Sequence, residues 1–105
     1  MFKDRQKVEL DHLYSVMLPN TFNSQQGAFK PYVFINVGTV DVYASGGFTQ
    51  PKTLSDLVLE DENTAVDGFD VFNLIPTYIC FKQNTGTSTE VVVSGLILTD
   101  LGVTL

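Results

Sequence analysis

The stretch IPTYICFKQNTGTSTEVVVSGLIL, Ile75 to Leu98, decides how the rest of the chain is read. Thr77 to Phe81 and Val91 to Val93 are rich in β-branched, aromatic and small apolar residues, whose restricted χ1 suits a pleated strand better than a helix. Between them lies QNTGTST, where Asn84 and Gly86 tolerate positive φ and the threonines bond their own backbone. Pro76 stands ahead of the first run, where a missing amide donor costs the ladder little. The sequence therefore predicts two strands joined as a hairpin with a polar loop. Both faces of both runs are apolar, which places them inside a two-layer structure and not at a solvated edge.

Working outward, Tyr32 to Val37 and Thr39 to Ala44 are two further strand-like runs separated by Gly38, read as a bulge or a sharp corner. Ser45-Gly46-Gly47 ends the second. Thr53 to Glu60 fits a strand with Leu57 and Leu59 inward, or a short helix capped by Thr53 or Ser55; the strand agrees better with its neighbours. Asp61 to Gly68 reads as an exposed acidic loop, Phe69 to Leu74 as a strand, and Leu96 to Leu98 as the continuation of the last one. Residues 20 to 31 are polar and rich in turn formers. Towards the N-terminus two templates tie over residues 8–18. Leu10, Leu13, Tyr14, Met17 and Leu18 form a helical stripe, whereas Val8, Leu10, His12, Tyr14, Val16 and Leu18 alternate as a strand would. The expected architecture is all-β: one small β-sandwich or barrel of six to seven short strands over residues 19–105, with residues 1–18 an N-terminal arm or first element. If residues 1–18 are an arm, deleting them weakens assembly more than folding.

At 105 residues the chain is one domain. Eight Phe, four Tyr and only 17 % charged residues, against about 25 % in ordinary soluble domains, leave a monomer short of polar groups to cover its apolar surface. This favours an oligomer or a docked subunit. Net charge is −6, and the leader to Leu13 is neutral, so the excess lies beyond it. Asp56, Glu60, Asp61, Glu62, Asp67 and Asp70 occur with no Lys or Arg among them, a sign that repels phosphate and excludes direct nucleic-acid binding. There are no 18 consecutive apolar residues and no signal-like N-terminus, so the expectation is synthesis in a cytoplasm without membrane insertion.

Catalytic chemistry is thinly supplied. His12 is the only histidine and Cys80 the only cysteine; a dyad would need the leader beside the Cys80 strand. The expected roles are a partly buried imidazole and an inert core thiol, with no catalytic residues, no cofactor and no metal. A structural zinc site needs four ligands of the Cys/His kind, and the acidic stretch 56–70 lacks EF-hand spacing, so calcium is expected to leave stability unchanged. Phosphate-loop and dinucleotide glycine patterns are missing. Tyr43, Phe48, Phe29 and Tyr32 around the glycine loop offer an aromatic ligand patch or, more in keeping with their type, core and subunit contacts.

Three stretches, NVGTVDVYASGG (Asn36 to Gly47), GFDVFNLIPTYICF (Gly68 to Phe81) and TGTSTEVVVSGL (Thr85 to Leu96), follow one another in an order that resembles small β-sandwich accessory proteins of tailed-bacteriophage virions, the capsid decoration and head subunits. The resemblance implies a non-enzymatic virion structural protein, made in the host cytoplasm. It would self-associate as a homo-oligomer such as a trimer and grip a major capsid or other virion protein with its N-terminal arm. The interface residues expected on this view are Leu10, Leu13, Tyr14, Met17, Leu18, Phe29, Tyr32 and Phe48. The alternative is a β-sandwich binding module holding carbohydrate or another small ligand near Phe48.

Overall fold

The computed structural model describes residues 5–17, 32–64, 67–68, 77–94 and 97–105. Among them nine strands form two antiparallel sheets: β1 (Arg5–Val8), β2 (His12–Met17), β3 (Tyr32–Ile35), β4 (Thr39–Ser45), β5 (Val58–Thr64), β6 (Asp67–Gly68), β7 (Tyr78–Thr85), β8 (Val91–Ser94) and β9 (Ile97–Thr104). One sheet has the order β1-β8-β3-β6, the other β5-β4-β7-β2-β9. The chain is thus the all-β sandwich that its composition and periodicity predict. The expected strand over 69–74, with Leu18, Phe29 and the loop 20–31, lies outside the described residues, and so does the side chain of Tyr32.

The predicted hairpin is corrected. β7 is the middle strand of the five-stranded sheet and β8 an inner strand of the other, so the connection Gly86 to Glu90 arches across the sandwich. Asn36 of the opposite arch, β3 to β4, and Gln83 of β7 hold it there. Asn36 Oδ1 accepts from the Thr89 and Glu90 amides at 3.1 and 3.2 Å, and its Nδ2 donates to Thr89 Oγ1 at 2.8 Å. Gln83 Oε1 accepts from Ser88 N at 2.7 Å, while its amide nitrogen donates to the carbonyls of Thr39 and Thr85 at 3.0 and 2.6 Å. A strand, polar loop and strand look alike in sequence whether they fold back in one sheet or cross to another. Only β4 and β5, of all the described strands, are both consecutive in the chain and paired.

Residues 5–17 are built into both sheets and are not a free arm. β1 pairs with β8, then the chain turns at Asp11, whose φ of 70° reverses its direction, and β2 enters between β7 and β9. The strand template therefore prevails over the helical stripe, because β2 has a ladder partner on both sides. Leu13 and Tyr14, expected at an interface, are corrected to core: they are 0 % and 3 % exposed.

The inner core lies between the sheets. Val8, Val33, Ile35, Val91 and Val93 of the smaller sheet meet Tyr14, Val40, Val42, Ala44, Ile79, Phe81 and Leu98 of the larger. The Gln6 side chain closes one open edge by bonding the backbone of Leu98 in the manner of a strand, its Oε1 accepting from Leu98 N at 2.9 Å and its Nε2 donating to Leu98 O. Ser94 is fully buried and its hydroxyl has no partner among the described residues. Ser94→Ala removes that desolvated group at little cost in volume, so urea titration is expected to show stability unchanged or raised by about 1 kcal/mol. A loss of similar size would mean that the hydroxyl is bonded in solution.

Two further expectations over 53–68 are revised. Leu54–Asp56 is a 3-10 turn, and the strand begins only at Val58. Asp56 stops it earlier: its Oδ2 accepts from the amides of Lys52 and Thr53 at 3.0 and 3.1 Å, and these bonds hold its carboxyl below the ordinary value. The first half of the expected acidic loop, residues 61–64, belongs to strand β5 at the sheet edge, where exposed Glu60 and Glu62 deter pairing with another edge.

Candidate interaction surface

A second apolar layer lies on the outer face of the five-stranded sheet. β7 buries Ile79, Cys80 and Phe81 in succession, so it is apolar on both sides. Ile79 and Phe81 enter the inner core, while Cys80 joins Leu13, its register partner on β2, and Leu57 in an outer cluster. Tyr43, opposite Cys80 on β4, packs on that cluster with Leu54, Tyr78, Leu101, Val103 and Leu105. These six are half-buried. At one corner Met17 and Ile97, register partners on β2 and β9, are 64 % and 39 % exposed. Leu59 is exposed at the opposite edge. The outer face of a two-sheet sandwich ordinarily alternates to polar residues, as it does here at Asp41, Ser45, Ser15 and Thr99, but around Cys80 it is apolar.

The end of the chain is pinned over this face. β9 bulges around Gly102, whose φ is 74°, so that the five residues Asp100 to Thr104 run beside the three from His12 to Tyr14. Leu105 N donates to Asp11 O at 2.7 Å, and Lys82 Nζ reaches both Asp11 Oδ1 at 2.8 Å and the Leu105 backbone oxygen at 2.9 Å.

The residues singled out from sequence fall in different places. Leu10 packs against the inner core, and Met17 belongs to the exposed corner of the outer face. Phe48 is 95 % exposed beside a depression of about 360 Å3 lined by Ser45, Gly47, Thr49, Gln50, Pro51, Lys52 and Asp56. Among the described residues no second aromatic lines it; Tyr43, expected there, lies in the outer cluster. Sequence reading missed Tyr78, Leu101, Val103 and Leu105. A signal was present in the alternation of Leu101, Val103 and Leu105 at the end of β9.

Neither half of a Cys–His dyad is poised for catalysis. Cys80 is fully buried, and desolvation pushes its thiol up to about 11, opposite to the shift that activates a nucleophile. His12 instead bonds Asp100 Oδ2 at 2.9 Å, which raises its pKa with support from Glu9 and Asp11. Native protein is expected to leave Cys80 unmodified by an aromatic disulfide reagent over hours at neutral pH, with one thiol released in urea. Rapid modification without denaturant would show that the outer cluster opens. Among the described residues no helix is long and apolar enough to cross a membrane. No family model matches the chain, and comparison with curated proteins and with solved structures likewise found no match.

Proposed function

We propose that this protein is a non-enzymatic structural subunit that works through repeated protein–protein contacts, as a virion accessory or capsid-decoration subunit does. The observation that carries the reading is an apolar patch on the outer face: Tyr78, Leu101, Val103 and Leu105 are partly exposed around the buried Leu13, Leu57 and Cys80, with exposed Met17 and Ile97 at a corner of the same sheet. Apolar surface gathered on one face marks a docking site better than scattered residues do. On this reading the partners are further copies of the chain and a shell protein, and the residues that meet them are these and not Leu13 or Tyr14. The negative balance of the chain accords with a protein partner and not a nucleic acid.

Light scattering coupled to gel filtration, over a range of concentrations, tests the self-association. A trimer or another closed ring is expected, reverting to monomer on Leu101→Glu, which places a charge in the face. A wild-type monomer at every concentration would remove self-association from the proposal. A second reading, a module for carbohydrate or another small ligand, draws on Phe48 and its adjoining depression. It calls for a saturable rise in Tm with an oligosaccharide that Phe48→Ala abolishes.

A further inference from the structure

We propose that Glu9, His12 and Asp100 form a binding site for a divalent transition cation of the zinc, cobalt or nickel kind, a clip between the β1–β2 turn and β9. The donor atoms of the three side chains lie within 4.8 Å of one another. His12 Nδ1 is 2.9 Å from Asp100 Oδ2 and 3.8 Å from Glu9 Oε2. A tetrahedral ion with bonds of about 2.0–2.1 Å to nitrogen and oxygen holds its ligands roughly 3.3 Å apart, a value these separations bracket. One imidazole with two carboxylates suits borderline cations; calcium, which takes six to eight oxygens, finds too few here.

The backbone prepares the arrangement. Glu9 and His12 flank the turn at Asp11, with His12 N donating to Glu9 O at 3.4 Å and Glu9 N donating to the buried Tyr14 hydroxyl at 2.6 Å. Asp100 is held from the other side: its Oδ1 accepts from Gly102 N at 2.9 Å, which aims Oδ2 at the imidazole. Asp11, the remaining carboxylate of the turn, is engaged by Lys82 at 2.8 Å and is left out of the set. His12 and Asp100 are thus fixed, and the more exposed Glu9 side chain closes onto the ion. Bound there, the cation would tie the N-terminal turn to the strand that carries Leu101, Val103 and Leu105.

Because the chain has one histidine, its imidazole proton signals report this site without further assignment. Zinc chloride titrated into the metal-free full chain, at a pH slightly above neutral, is expected to shift them saturably at one equivalent with micromolar affinity. Glu9→Gln and Asp100→Asn, both conservative and exposed, should each weaken binding about tenfold or more. Glu60→Gln, on the far edge of the sheet, should not. Zinc at about 100 times its Kd should raise Tm by about 10 °C, and calcium at the same concentration should leave it unchanged. A shift that fails to saturate below millimolar zinc, or that survives both carboxylate variants, would reduce the site to a lone surface histidine and overturn the proposal.

Discussion

A chain lacking residues 1–17 is expected not to fold. Those residues supply β1 and β2, and β2 is an inner strand whose removal separates β9 from the rest of its sheet. They also supply Leu13 and Tyr14, one to each apolar layer, both almost fully buried. Truncating a buried Leu or aromatic side chain to Ala costs about 2–5 kcal/mol, so these two account for roughly 4–10 kcal/mol against a total stability of about 5–15 kcal/mol. The loss of ladder bonds on both sides of β2 comes on top. Thermal melting by circular dichroism should show no cooperative transition, and the amide proton spectrum should be collapsed. A sigmoidal melt with dispersed amides would show that the other strands form a sandwich without β2. Leu13→Ala offers a graded control, with a loss of about 3 kcal/mol and the fold retained. The result bears on function: if the leader were an arm, the truncated chain would fold and merely fail to assemble.

Gly38→Ala is expected to be the most damaging single methyl. Gly38 has φ 77° at the β3–β4 corner, a conformation that costs an L-residue about 1–2 kcal/mol. A Cβ built there would stand 1.7 Å from the carbonyl oxygen of Thr85, which is backbone and cannot swing away. The two arches would have to part, and with them the Thr39–Thr85 hydroxyl bond of 2.9 Å and the grip of Asn36 on the neighbouring loop. A loss of about 3–5 kcal/mol follows, in the range reserved for core defects. The same substitution at Gly86, which meets its nearest neighbour at 3.0 Å, should cost less. At Gly102, where no atom lies within 4 Å, the conformational term should stand alone at about 1–2 kcal/mol. Urea titration of the three variants should rank them 38, 86, 102. Equal losses would mean that the arches are not in contact in solution.

Both experiments test connections that cross between the sheets, and these mark the limit of what local sequence reading provides. Strand character was legible wherever it is a property of a few adjacent residues. Val40, Val42 and Ala44 alternate inward as their spacing says, and the three consecutive buried residues of β7 mark a strand covered on both sides. The break at Ser45-Gly46 was legible for the same reason, and so was the burial of Cys80. The all-β class follows from these alone, and the two sheets make it a sandwich and not a barrel.

What local pattern could not decide was pairing. β7 and β8 are separated by a loop that would serve a hairpin, yet each finds its partners far along the chain, because Asn36 and Gln83 bind that loop from outside it. Whether the leader is arm or strand turned on β7 and β9 being free to receive β2, a fact held by residues some sixty to ninety positions away. The outer apolar layer and the meeting of His12 with Asp100 have the same origin, since adjacency across a sheet is set by register between distant strands. Short-range periodicity therefore determined which residues are extended and which side of a strand is apolar. Only the packed structure decided which strands lie together, because hydrogen-bond partners and burial are shared between segments that the sequence keeps apart.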